Sequence, residues 1–253
     1  MSGAGPRPGH LPSRLWAVVP VKRFADTKRR MMPLLSPQER RGLAEAMLQD
    51  VLAAIARARS IAGLVVVTDE RPAAAAAREA GALVLGDAAE GGLNAALAKA
   101  SCRLAGDGAT GMLVLPADVP LVTAADIDAI VLAHRASPSV TLVPATEDGG
   151  TNALACSPPL AIACRFGEDS LRLHRAAAEL AGIAATVLRL ERLGCDLDRP
   201  ADLARLLERP SKTSCYAYLV ASGIAQRLPG VDRHRSGKRV AADATMTAGR
   251  LAP

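Results

Sequence analysis

Two acidic segments stand far apart in the chain. Leu113-Val114-Leu115-Pro116-Ala117-Asp118-Val119-Pro120-Leu121 sets a lone aspartate after an apolar run, between prolines that stiffen the turn. Cys195-Asp196-Leu197-Asp198 supplies a second carboxylate after another hydrophobic stretch. A carboxylate at the carboxyl end of a strand is a good ligand for Mg²⁺, which takes one or two carboxylates plus substrate phosphates. Each motif also has a plainer reading. Asp118 can cap the next turn, and Asp196-Leu197-Asp198 can be the turn and cap before a helix at Pro200. The pairing of Asp118 with Asp196 favours the metal.

Cationic residues gather elsewhere. The first 45 residues hold nine Lys or Arg against Asp26, Glu39 and Glu45, which suits a phosphate-rich ligand. Among them, Lys22 and Lys28 follow the first predicted strand at its carboxyl end, where open α/β sheets bind ligands. Lysines there can reach a triphosphate as flexible point charges. A solvated basic loop has the same composition, and spacing alone does not separate the two.

Glycine-rich turns form a third set. Asp148-Gly149-Gly150-Thr151-Asn152 enters a strand, and glycines let backbone N–H groups approach an anion. Phe166-Gly167-Glu168-Asp169-Ser170 leads into a helix, whose N-terminus can bind phosphate. His174 lies four residues on, on the same face. An ordinary turn and an ordinary helix cap explain these segments equally well. Gly91-Gly92-Leu93-Asn94 reads as a loop and cap with the same ambiguity. Gly106-Asp107-Gly108-Ala109-Thr110-Gly111 matches the dinucleotide-binding GxGxxG, but it follows a helix and precedes a strand, the reverse of the required context, and is expected to be a turn.

The elements that must position these residues alternate. Strands are predicted at 15–20, 63–68, 83–85, 112–116, 140–144, 151–156 and 185–190. Helices are predicted at about 37–59, opened by the capping box Ser36-Pro37-Gln38-Glu39, and at 72–80, 92–105, 169–181 and 200–207. Thr123 with Asp126 caps a further helix to about residue 136. Such alternation, with near-continuous Val/Leu strands, means a mostly parallel sheet covered on both faces.

Composition removes several functions. Aromatics are 2%, too few for base-stacking platforms. No apolar run reaches the roughly 18 residues of a membrane span. The N-terminus lacks a hydrophobic signal core. Five scattered cysteines without a CxxC pair suit a reducing cytoplasm and argue against structural zinc. Net charge is +6, but residues 1–208 carry 23 of each sign, while 209–253 carry eight Lys or Arg against two Asp. The core is therefore not a basic nucleic-acid binder. The expected organisation is a disordered 1–14, a core domain at 15–208 and a basic, largely disordered tail at 209–253, in which a helix near Tyr216–Arg227 is left open.

Taken together, VPVKRFADTKRRM at 19–31, GLNAAL at 92–97, LPADVPLV at 115–122, GGTNAL at 149–154, FGEDSLRLH at 166–174 and DLDRPADL at 196–203 resemble one family. It is the guanylyltransferases of deazaflavin coenzyme (coenzyme F-420) biosynthesis, which use 2-phospho-L-lactate, phosphoenolpyruvate or 3-phospho-D-glycerate. The resemblance implies a single-domain α/β nucleotidyltransferase fold, GT-A-like and Rossmann-like, a three-layer sandwich about a mostly parallel sheet. It implies GTP and a phosphorylated carboxylic acid as substrates and Mg²⁺ as cofactor. A downstream transferase would take the unstable product, and a homodimer is left open. Asp118 and Asp196 would bind the metal and, with Lys22 and Lys28 on the GTP phosphates, carry catalysis. Asn94 would sit with the nucleotide. Thr151, Gly167 and Ser170 would hold the acid. Two departures stand out. Arg29-Arg30-Met31 replaces a small residue and Arg-Leu after the second lysine, and Arg199 replaces a threonine helix cap worth about 1 kcal/mol. Two alternatives remain. One is a nucleotidyltransferase of the same fold acting on a molybdopterin or sugar phosphate, although VPVK stands where those enzymes have a Gly-Gly-rich loop. The other is a non-catalytic nucleotide-binding regulator or tail-mediated nucleic-acid binder, against which the intact Asp118 and Asp196 argue.

Overall fold

Strands of Val, Leu and Ala form where both sheet faces are covered, and seven such strands make one sheet in a computed structural model that describes residues 15–86, 91–147 and 149–228. In chain order the elements are β1 (Leu15–Pro20), α1 (Pro37–Arg57), β2 (Ile61–Val67), α2 (Arg71–Glu79) and β3 (Leu83–Leu85). Next come α3 (Gly92–Gly106), β4 (Met112–Val114), α4 (Ala124–Ala133), β5 (Ser139–Pro144) and β6 (Thr151–Ser157). The chain continues through α5 (Ser170–Leu180), β7 (Thr186–Val187), α6 (Glu191–Gly194), α7 (Pro200–Glu208) and α8 (Ser214–Ala221). The strand order is β3-β2-β1-β4-β6-β5-β7, and β6 runs against its neighbours β4 and β5. The chain leaves β1 toward β2 and β3 on one side and returns with β4 on the other. The gap between β1 and β4 is thus the topological switch point, where such sheets form their ligand crevice.

Alternating strand residues feed two cores. Ala17, Val19, Leu113 and Leu115 pack under α1, α4 and α7, whereas Val18, Met112 and Val114 pack under α3 and α5. This is the expected three-layer sandwich. The expected capping boxes also form: Ser36 Oγ accepts from Glu39 N at 3.2 Å while Glu39 accepts from Ser36 N at 2.8 Å, and Thr123 and Asp126 repeat the pattern. Gly106–Gly111 is the turn between α3 and β4. Gly111 is required by close packing, since a Cβ there would lie 2.8 Å from the Cys156 carbonyl oxygen. Among the described residues no helix is long and apolar enough to cross a membrane.

Three expectations need correction. β7 is two residues long rather than six, because the chain turns after it into the unanticipated α6. The helix from Thr123 stops at Ala133, where the His134 ring leaves the helix and inserts between Thr141 Oγ1 and Ser157 Oγ, 2.9 Å from each. The chain beyond 208 is not a loose tail as far as Leu228. The Asp50 carboxylate accepts from Ser214 N at 2.6 Å and Cys215 N at 2.8 Å, capping α8, and Cys215, Leu219, Ile224 and Leu228 bury against the first core. Residues 1–14 and the rest of the expected tail, 229–253, lie outside the described residues.

Burial holds both His134 and His174 down at about 4. Unfolded histidine titrates near 6.5, so between those values only the unfolded chain takes up the protons. The stability these rings contribute is complete above pH ~6.5 and is lost as pH falls toward ~4. The melting temperature should therefore fall steadily over that window, before the ordinary carboxylate range is reached. His134→Gln should melt lower than wild type at pH 7.5 and show a shallower decline, and a pH-independent wild-type melting temperature would contradict this.

Candidate active site

The carboxyl ends of β1, β4, β5 and β7 share one edge of the sheet with the amino end of the reversed β6. This edge collects the chemistry-bearing residues. Asp118 follows β4, and Asp196 and Asp198 follow α6. The two loops are tied by Leu197 N donating to Asp118 O at 3.1 Å. Each of the three aspartates offers an oxygen within 4.8 Å of the others. Asn152 Nδ2 donates to Leu193 O at 2.8 Å and to Asp196 Oδ1 at 3.3 Å, fixing that carboxylate. Asp202 accepts from Asp198 N at 3.0 Å and Arg199 N at 2.7 Å. Half of the cap on α7 therefore survives the arginine at 199. Sequence reasoning assigned Asp196 to the metal but gave Asp198 no role, although the Asp-x-Asp spacing was visible. It missed Asn152 altogether.

Lys28 lies among these acids. Its Nζ is 3.0 Å from Asp118 Oδ2 and 2.7 Å from Asp198 Oδ1, and its side chain is 4% exposed. The backbone at Lys28 is left-handed (φ 55°), a costly conformation for a residue with a Cβ. Arg40 Nη1 donates to Thr27 O at 3.3 Å just before it. Burial alone would lower the Lys28 ammonium, but Asp118 and Asp198 raise it above the usual lysine value. Burial pushes Asp198 up, yet Lys28 and Arg30 bring it below the usual carboxylate range; Arg30 Nη1 is 3.8 Å from Asp198 Oδ2. Asp196 has no such partner, and burial first, then the Asp118 charge, raise it. One ammonium among three carboxylates leaves excess negative charge. The donor set is hard oxygen only, so the residues fit a divalent cation of the Mg²⁺ kind.

Beside the acids a cleft of about 300 Å³ opens at the switch point, lined by Pro20, Lys22, Lys28, Val114, Asp118 and Phe166 among others. Lys22 is exposed at its side, as expected of a phosphate contact. Asn94 has a further, structural task. Its amide is engaged in two bonds to the Phe166 backbone, donating to Phe166 O at 3.0 Å and accepting from Phe166 N at 2.8 Å. Asn94 thus fastens the 163–169 loop to the start of α3, with one amide N–H and one oxygen lone pair left over.

Thr151 is brought to α5, whose first residue is Ser170 and which Gly167 precedes by three residues. Leu171 N donates to Gly149 O at 3.1 Å, docking the start of α5 on the glycine turn. Gly167 has φ 130°, which only glycine adopts freely. Ser170 is 1% exposed and is the first residue of α5 rather than its cap, which is Asp169. Thr151 Oγ1 is 3.0 Å from His174 Nδ1. A register shift between Val143 and Pro144 leaves Asn152 as the extra residue of a bulge. Strict alternation would turn Thr151 to the side of Ala153; the bulge turns Thr151 toward α5 and Asn152 toward Asp196.

The chain matches the family described as guanylyl transferase CofC like over residues 15–237. It is 37% identical over 194 residues to the phosphoenolpyruvate guanylyltransferase of Conexibacter woesei, covering 76% of this chain and 87% of that one. It is 33% identical over 203 residues to the 2-phospho-L-lactate guanylyltransferase of Methanothermobacter thermautotrophicus, covering 80% and 88%. It is 33% identical over 200 residues to the 3-phospho-D-glycerate guanylyltransferase of Phenylobacterium zucineum, covering 77% and 90%. A solved nucleotide-diphospho-sugar transferase from Desulfovibrio desulfuricans superposes with a TM-score of 0.68 at 18% identity, over 85% of this chain and 98% of that one, which fixes the fold.

Cation binding at the three aspartates should be visible without turnover. Millimolar Mg²⁺ should raise the melting temperature of the wild type, since a ligand that binds only the folded state stabilises it. Asp118→Asn, Asp196→Asn and Asp198→Asn should each lose most of that rise. Without metal, Asp196→Asn should melt no lower than wild type, because it relieves repulsion. A variant that keeps the full Mg²⁺ shift removes its residue from the cluster.

Proposed function

The chain belongs to the CofC-like guanylyltransferase family, and on that premise we propose that it condenses GTP with a small phosphorylated carboxylic acid. The products would be a guanosine diphospho-acid and pyrophosphate, in coenzyme F-420 biosynthesis. The observation that carries the reading is the geometry of the sheet edge. A cleft bearing Lys22 and Lys28 at the switch point adjoins a carboxylate triad, and Asn152 of β6 holds one of those carboxylates while its neighbour Thr151 faces α5.

Charge explains the chemistry. The acceptor's phosphate has its second pKa at about 6 and is an anion at neutral pH, so it needs no general base. One of its oxygens attacks the α-phosphorus of GTP. A new P–O bond forms as the bond to the bridging oxygen of pyrophosphate breaks, and pyrophosphate carries the electron pair away. Repulsion between the two polyanions is the main obstacle. Mg²⁺ held by Asp118, Asp196 and Asp198 would supply charge neutralisation at the triphosphate. Lys22 would pair with GTP phosphates from the cleft side. Lys28, released from its carboxylates when a cation takes them, would do the same on a flexible stem. Thr151 and Ser170, with backbone N–H groups at Gly167, would orient the acid.

Of the three acids we place phosphoenolpyruvate first, supported by the higher identity of the relative named for it. A downstream transferase would consume the product, and the free cysteines and GTP supply suit the cytoplasm.

Pyrophosphate release should appear with GTP, Mg²⁺ and phosphoenolpyruvate, and should be at least tenfold slower with ATP. Turnover with a sugar phosphate or molybdopterin instead of all three acids would overturn the acceptor class. Ser170→Ala should raise the KM for the acid about tenfold, the equivalent of roughly 1.4 kcal/mol, and leave the KM for GTP nearly unchanged. A variant with lowered melting temperature and both KM values intact would remove Ser170 from the substrate.

A further inference from the structure

His174 is fully buried, and both of its ring nitrogens are engaged. Nε2 receives the Arg165 backbone N–H at 2.8 Å, and Nδ1 lies 3.0 Å from Thr151 Oγ1. A backbone N–H can only donate, so Nε2 must present its lone pair. A neutral imidazole carries one proton, and that proton is then on Nδ1. The ring stays neutral at physiological pH, because burial holds it at about 4. Thr151 Oγ1 must therefore accept from Nδ1–H. The proton of the Thr151 hydroxyl cannot also point back at the ring, and among the described residues His174 is the one side-chain partner of Oγ1.

We propose that His174 is a positioning residue: by donating to Thr151 Oγ1 it leaves the threonine hydroxyl proton available to an anionic oxygen of the acceptor acid. This rests on the reading of Thr151 as part of the acceptor pocket. It goes beyond that reading by fixing the direction of the hydrogen bond. A hydroxyl facing an unprotonated nitrogen would spend its proton there; one that accepts from a fixed N–H keeps its proton for a partner other than the ring. The site thereby presents a donor to an anionic oxygen before any ligand arrives, and part of the rotor's ordering cost is met in the free protein.

The ring itself is held firmly. Phe166 packs edge-on against it, with centroids 5.0 Å apart at 69°. The Phe166 backbone is fastened at N and O by Asn94. The same clamp sets the Arg165 N–H one residue earlier, which determines the tautomer. A continuous relay therefore runs from Asn94 on α3 through residues 165–166 to His174 on α5 and Thr151 on β6.

Four measurements test this. His174→Phe keeps the ring and removes both nitrogens; it should raise the acid KM about tenfold with the GTP KM unchanged. His174→Asn replaces the Nδ1 donor with an amide and should recover most of that loss. Thr151→Val should raise the acid KM similarly, and adding His174→Phe to it should make it no worse, since both remove one hydrogen bond. Nitrogen-15 NMR of the wild type should show Nδ1 protonated and Nε2 as the acceptor. Multiplicative effects in the double variant, a normal acid KM in His174→Phe, or the opposite tautomer would each overturn the proposal. If His174→Phe does not fold, His174→Asn and the tautomer decide. If the wild type turns over none of the acids, the proposed function fails, and the tautomer still reports on the relay independently.

Discussion

Three carboxylates held within 4.8 Å of one another repel, and the rest of the site is arranged around that repulsion. Each close pair costs on the order of a few kcal/mol before solvent screening. The loops that carry them cannot relax apart, because Leu197 is hydrogen-bonded to the Asp118 carbonyl and Asn152 holds Asp196. Lys28 supplies one compensating charge from a left-handed backbone position that would otherwise be unfavourable. A protein that needed only stability would place apolar residues here. Retaining the acids is consistent with a site built to exchange a lysine for a metal and a polyphosphate.

The position of Lys28 depends on elements far from the cleft. Arg40, buried in α1, holds the Thr27 carbonyl. The start of α1 is in turn pinned by the segment after residue 208. Tyr218 Oη donates to Glu39 O at 3.3 Å, and Arg227 pairs with the Glu39 carboxylate and donates to Leu34 O. Tyr218 also packs over Gly42, where a Cβ would meet the phenol ring. The C-terminal helix is thus a brace for the lysine loop, which accounts for a family match that continues well past the last strand–helix unit.

Sequence made the local features legible. Continuous Val/Leu runs marked the strands, and Ser36/Glu39 and Thr123/Asp126 marked two helix starts, because each signal is contained within a few residues. The acids, lysines and glycine turns were visible as types, and the resemblance gave their order. Long-range geometry was not legible. Nothing near Lys28 says that it will bridge residues 90 and 170 positions away. Asn94 looked like a ligand contact, yet its partner is a backbone 72 residues on. The Ser- and Arg-rich composition after 208 left a helix near Tyr216–Arg227 undecided, because the apolar residues of the helix at Ser214–Ala221 need α1 to cover them.

The bulge at Asn152 shows why one residue of register carries so much. A period of two would send Thr151 and Ala153 to one face and leave Asn152 on the other. The inserted residue breaks that parity at the point where β6 reaches the sheet edge. Thr151 then meets His174 on α5, and the next residue meets Asp196. Two neighbouring side chains on one strand therefore reach the regions proposed for the acceptor and for the cation. Their separation is set by covalent geometry rather than by a loop. In-line transfer between two polyanions requires the attacking oxygen to be held against the α-phosphorus without freedom to recoil. In the function proposed above, a bulge at the end of β6 would meet that requirement.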